Sequence, residues 1–134
     1  MTPALATFAL FAGLNALIFL ALTANVIRYR GKHDLALGDG GHEEVTMAIR
    51  GQGNAAEQMP MGLILLGIMA GMGTPAWVIG LVGAIFTLGR ALHAVHFTFR
   101  AGGLATRAGG MLLTLLALGL MALGVLAHGL TGLA

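Results

Sequence analysis

Arg50, Asn54 and Glu57 stand at i, i+4 and i+7 in a stretch where charge is otherwise scarce. On a helix that turns by about 100° per residue, the three fall in one narrow wedge. The stripe holds one cation, one amide and one anion. Arginine presents a planar fork to a carboxylate. Glutamate accepts from an ammonium, and asparagine both donates and accepts. Such a set suits a zwitterionic ligand. The same spacing would let Arg50 and Glu57 neutralise each other, or pair with Glu43 or Arg90, as a lock inside the membrane. The ligand reading is preferred, because a charge within a span costs at least about 2.5–3.5 kcal/mol and usually marks function.

Other residues could join this chemistry. Arg90, His93 and His96 follow one another at i, i+3 and i+6, and Arg28, Arg30 and Arg107 flank the apolar segments. There is no cysteine, so disulfides, thiolate metal sites and a cysteine nucleophile are excluded. Any thiol must arrive with a substrate. A His93/His96 metal site has no nearby carboxylate to support it, and no metal is expected. The eight methionines form no clustered spacing and read as packing. Asn15 and Asn25 read as hydrogen-bonding glue between helices, and Trp77 as an interfacial anchor. His33, His42, Asp34, Asp39, Glu43 and Glu44 read as a solvated connection, the two glutamates suiting a helix N-terminus. His128 reads as interfacial.

The elements that must position these residues are membrane helices. The 134-residue chain is 57% hydrophobic and 9% charged, with a mean hydropathy of +0.90. Soluble domains carry about 25% charged residues, and a globule of this size has no interior large enough for so much apolar surface. Seven Lys and Arg are too few for a nucleic-acid surface, although the pI is about 10.0. Residues 2–27 and 108–134 carry no charge, and each run exceeds the roughly 20 residues that a span needs. The first lacks a basic leader region and is too long for a signal core, so it reads as a retained span. Residues 58–89 are also uncharged, broken by the turn signal Gly71-Met72-Gly73-Thr74-Pro75. Two spans and a turn do not fit into that stretch. Helix 2 must therefore extend back through Arg50, Asn54 and Glu57, and helix 3 forward past Arg90, His93 and His96. Pro60 is placed to kink helix 2.

The expected fold is a single all-α domain over 1–134, an up-down-up-down four-helix membrane bundle, with helices at about 3–28, 43–71, 76–99 and 106–130. Arg28, Arg30 and Lys32 follow helix 1, and Arg100 and Arg107 lie between helices 3 and 4, whereas the 2–3 turn is uncharged. The positive-inside rule puts these basic connections in the cytoplasm and both termini outside. Gly67/Gly71 and Gly80/Ala84 are small-xxx-small pairs that suggest close helix contacts.

The run Arg50-Gly-Gln52-Gly-Asn54-Ala-Ala-Glu57-Gln-Met-Pro60 resembles the R-x-x-x-N-x-x-E-x-x-P signature of the MAPEG family, the membrane-associated proteins of eicosanoid and glutathione metabolism. Gly38-Asp39-Gly40-Gly41 and Gly89-Arg90-Ala-Leu-His93 look like its bacterial branch. The resemblance implies a homotrimer that binds glutathione between subunits near the cytoplasmic end. It implies that Arg50, Asn54 and Glu57 hold the γ-glutamyl end. Arg28 or Arg30, with Gln52, would hold the glycyl carboxylate, and Arg90 and His93 would line the pocket. Arg107 matches the family's thiolate-stabilising arginine. The implied location is the bacterial inner membrane. The sequence departs from many active members at Gln58, His93 and Phe97, where they carry tyrosine.

The implied activity is glutathione conjugation to a lipophilic electrophile from the bilayer, or reduction of a lipid hydroperoxide, with His93 as a candidate proton relay. Two other classes compete. A small multidrug exporter would need an acid in helix 1, which has none. A non-catalytic scaffold or accessory subunit of the same family would keep the stripe without the chemistry.

Overall fold

The computed structural model describes residues 1–99 and 103–132, which form four α-helices: α1 Pro3–Lys32, α2 Glu43–Gly71, α3 Ala76–Phe99 and α4 Gly103–Gly132. Arg100 lies outside the described residues. Thr2 caps α1, its Oγ1 accepting from the Leu5 N–H at 3.3 Å, and Pro3 occupies the first turn, where its missing donor costs nothing. α1 does not stop at Arg28 but runs on through Tyr29 and Arg30 to Lys32, with Arg30 and Lys32 in the last turn at the negative end of the helix dipole. Glu43 and Glu44 open α2, opposite in sign to its N-terminal dipole. α2 continues unbroken through Pro60.

The turn between α2 and α3 is set by Gly73, whose φ of 82° favours glycine, and by a bond from the Thr74 N–H to the Met69 carbonyl at 3.2 Å. The connection between α1 and α2 is tied by side chains. Asp39 accepts from the Gly41 N–H at 3.0 Å and from the Thr46 hydroxyl at 2.7 Å. Glu44 takes Lys32 at 2.8 Å and also meets His33, whose ring stacks on His42.

α2 and α3 form the middle of the bundle, and α1 and α4 flank them without touching each other among the described residues. The core is apolar and centred on Leu66, Ile79, Phe86, Ala117 and Met121. Glycines set how closely the helices approach. A Cβ on Gly62 would stand 2.2 Å from the Phe86 ring, so that ring fills the space beside bare α2 backbone. At Gly89 and Gly110 the backbones themselves meet: a Cβ on Gly89 would lie 2.8 Å from the Gly110 carbonyl oxygen. Gly67 instead faces Phe8, and a Cβ on Gly71 would meet nothing within 4 Å. Of the polar residues in α1, Asn15 does join two helices, its amide donating to Thr87 on α3 at 2.8 Å, whereas Asn25 accepts from Arg28 of its own helix at 2.9 Å.

The outside of the bundle is apolar, with Leu17, Leu20, Leu81, Leu112 and Leu123 exposed. Among the described helices, α1, α3 and α4 are long and apolar enough to cross a membrane. α2 is of similar length, and its buried face runs from Val45 to Ala70 along that bundle. Its polar stripe sets it apart in composition. This is an integral membrane protein with lipid as the solvent for its exposed leucines.

Candidate functional site

The helical period of α2 places Arg50, Asn54 and Glu57 along one wall of a cavity of about 500 Å³ at the end of the bundle away from the α2–α3 turn. α3 contributes His93 and Phe97. α4 contributes Arg107 together with an apolar strip, Leu104, Ala108 and Met111. The cavity volume falls within the roughly 300–1,000 Å³ of small-molecule sites. α2 supplies polar side chains, and α4 sets an apolar strip beside Arg107.

Charge balance narrows the ligand. Arg50 and Arg107 bring two cations and Glu57 one anion, so the lining favours a ligand with more negative than positive groups. Arg50 and Glu57 are exposed within a single chain and open to whatever enters. The Arg107 guanidinium sits 6.0 Å from the centre of the Phe97 ring, on the ring face. His93 is only 5% exposed and packs its ring 4.9 Å from that of Phe97. The His96 ring also packs against Phe97, in a T-shaped arrangement with centroids 5.1 Å apart.

Arg90 stands behind this lining. It is 2% exposed, donates from Nε to the Thr114 hydroxyl at 2.8 Å, and donates from Nη1 to Asn54 Oδ1 at 2.9 Å. Thr114 in turn donates to the Gly110 carbonyl at 2.8 Å. One guanidinium therefore joins α3 to α2 and α4. Its Nη2 has no partner among the described residues. Thr114 was not foreseen as part of the site. The signal for it was the single polar side chain in the apolar run 108–127 of α4, since a hydroxyl at such depth must find a partner.

The remaining residues of interest lie elsewhere within the single chain. Gln52 is half-buried on α2, off the cavity lining. Arg28 bonds Asn25 and lies 4.6 Å from the Tyr29 ring centre, and Arg30 donates to the Gly38 carbonyl at 3.2 Å. Both arginines are at the same end of the bundle as the cavity but on α1, which does not line it. Among the described residues, no group of three His, Asp or Glu side chains is placed to hold a metal ion. The chemistry available at the cavity is that of guanidinium, carboxylate, amide and imidazole.

Comparison with known proteins places nearly the whole bundle in a family. The family profile described as "MAPEG family" matches residues 8–127. The chain is 36% identical over 115 residues to the inner membrane protein YecN of Escherichia coli strain K12, a match that covers 86% of each chain. The same figures hold for YecN of Escherichia coli O6:H1 strain CFT073. With residues 8–127 matched and 36% identity over 86% of the chain, this chain belongs to the MAPEG family.

Proposed function

We propose that this protein is a membrane-bound glutathione-dependent transferase or peroxidase that acts on lipophilic electrophiles. The observation that carries the reading is the gathering of Arg50, Asn54 and Glu57 with His93 and Arg107 around one cavity. Glutathione has two carboxylates and one ammonium at neutral pH. Two guanidiniums, one carboxylate and an amide donor complement that set.

Each residue then has a task. Glu57 takes the ammonium, and Arg50 with Asn54 takes the adjoining carboxylate. Arg107 is the cation available to the thiol. A free thiol near pKa 8.5 is mostly protonated at pH 7, and an opposite charge within about 4–6 Å lowers such a value by about 1–3 units. The proton leaves to water or through His93. In conjugation the thiolate sulfur forms a bond to carbon while the leaving group departs with its electron pair. In hydroperoxide reduction two glutathiones are oxidised to the disulfide, and the hydroperoxide becomes an alcohol and water. The apolar strip of α4 suits an electrophile that arrives from the bilayer.

Arg28, Arg30 and Gln52 complete the site in the homotrimer that we also propose, where Arg28 or Arg30 of the partner subunit reaches the second carboxylate. The relatives' name supports the bacterial inner membrane as the location, and the basic connections favour a cytoplasmic end for the cavity.

The test is rapid mixing of detergent-purified protein with glutathione while thiolate absorbance is followed near 240 nm. A thiolate signal at neutral pH is expected, lost in Arg107→Ala and weakened in Glu57→Gln. Absence of binding at millimolar glutathione would overturn the transferase reading. Binding with no thiolate signal would favour the non-catalytic scaffold, a reading that Phe97 supports by bringing no hydroxyl to the cavity.

A further inference from the structure

At the other end of the bundle a second cavity, of about 260 Å³, opens beside the α2–α3 turn. Its lining includes Met69, Met72, Thr74, Gly124 and His128, and no charged side chain. We propose that Met69, Met72 and His128 bind a soft monovalent metal ion, Cu(I) or Ag(I).

The donor set carries the argument. Two thioethers and an imidazole are neutral, and thioethers select Cu(I) and similar soft ions over hard cations. With no carboxylate in the lining, a hard divalent cation has nothing to hold it and an anion has no cation to meet. Methionines scattered through the sequence give no hint of this, because the third donor comes from α4.

The scaffold is ordered at the donors themselves. Met69 and Met72 are three residues apart at the end of α2, so they share a helix side. The Met72 N–H donates to the Ile68 carbonyl at 2.9 Å, and the Thr74 N–H donates to the Met69 carbonyl at 3.2 Å. The turn is thus bonded to the residue that brings one thioether. Gly124 brings α4 against Met69: a Cβ there would stand in ordinary contact, 3.8 Å from the Met69 methyl carbon. His128 is one helical turn further along the same side of α4. Met69 is 7% exposed at the cavity floor, and His128 is exposed at its rim. Among the described residues nothing bonds the ring nitrogens of His128, so a lone pair is free for an ion.

This site is separate from the arginine cavity and does not depend on glutathione. Glutathione itself binds Cu(I), so the experiment omits it. The full-length protein in detergent is titrated anaerobically with Cu(I) against a chromophoric Cu(I) chelator, and separately with Ag(I) by calorimetry. One Cu(I) per chain is expected, with Zn(II) failing to compete. Met69→Leu/Met72→Leu keeps apolar volume in the fold and is expected to weaken binding by at least about tenfold, as is His128→Ala. X-ray absorption of the wild-type Cu(I) form is expected to show sulfur neighbours together with nitrogen. Equal Cu(I) uptake by wild type and the double methionine variant overturns the proposal. So does a wild-type spectrum with only nitrogen and oxygen neighbours, a result that stands even if a variant fails to fold.

Discussion

Arg90 donates from Nη1 to Asn54 Oδ1 at 2.9 Å, and this bond between α3 and α2 decides which way the Asn54 amide faces. A guanidinium has donors only, so the asparagine must turn its oxygen to Arg90. Its NH₂ is then the group left for the cavity that Asn54 lines. Arg90 is 2% exposed and takes its orientation from Thr114 as well. The site thus presents a donor at position 54 because a buried cation stands behind it.

Two substitutions at Asn54 separate folding from binding. Asn54→Asp keeps an oxygen for Arg90, and the bond becomes charge-assisted. It also removes the NH₂ and adds negative charge to the cavity. The thermal midpoint is expected to hold or rise, while glutathione affinity falls by about tenfold or more, about 1.4 kcal/mol. Asn54→Leu leaves Nη1 of a buried guanidinium unpaired and is expected to cost about 1–3 kcal/mol of stability. Calorimetry and thermal unfolding of both variants check this. Unchanged affinity in Asn54→Asp would mean that the ligand does not use the amide.

What the sequence disclosed follows from the range of the interactions. The stripe of Arg50, Asn54 and Glu57 was legible because all three sit on one helix, where the period alone sets direction. The four-helix architecture was legible because lipid demands long uncharged runs, and the forced inclusion of Arg90 and His93 in α3 came from the shortage of such residues between Glu57 and Arg90. Partners across helices were not legible. The bond from Arg90 to Asn54, the contact of Gly89 with Gly110, and the bond from Asn15 to Thr87 each depend on helix rotation and axial stagger. Side-chain volumes fix those quantities, and no periodicity reports them.

The contact of Gly89 with Gly110 yields a contrast within adjacent residues. A Cβ on Gly110 would lie 2.7 Å from the His93 backbone nitrogen, whereas one on Gly109 would meet nothing within 4 Å. Backbone cannot swing aside as a flexible side chain can. Gly110→Ala is therefore expected to force α3 and α4 apart and cost about 1–3 kcal/mol. Gly109→Ala is expected to be neutral or stabilising by up to about 1 kcal/mol, since alanine is the better helix former. Thermal unfolding in detergent distinguishes the two. Because His93 and Arg107 ride on the separated helices, Gly110→Ala is also expected to weaken glutathione binding.

Phe97 offers a gain-of-function test. Its ring lines the cavity and lies under the Arg107 guanidinium. Phe97→Tyr adds a hydroxyl beside a guanidinium that can donate to it, and beside the position proposed for the thiol. A hydrogen bond to a thiolate favours the charged form. The thiolate fraction at pH 7 is expected to rise several-fold, read as the amplitude near 240 nm. No change in amplitude, with binding intact, would place the thiol away from Phe97.

The connection between α1 and α2 should loosen in acid in a defined direction. The Thr46 hydroxyl, and after it the Gly41 N–H, hold the Asp39 carboxyl below its ordinary value of 3.8. A carboxyl depressed in the folded state contributes stability that is complete above the unfolded value and lost as pH falls through the lower folded value. Asp39 is partly exposed in the connection, so the effect is local. Hydrogen-exchange protection at Gly41 and Thr46 is expected to be constant above about pH 4 and to fall below it. Asp39→Asn cannot ionise, and its protection is expected to stay level across the same range. If both proteins lose protection together, the acid sensitivity belongs to Glu44 and its contacts with Lys32 and His33, not to Asp39.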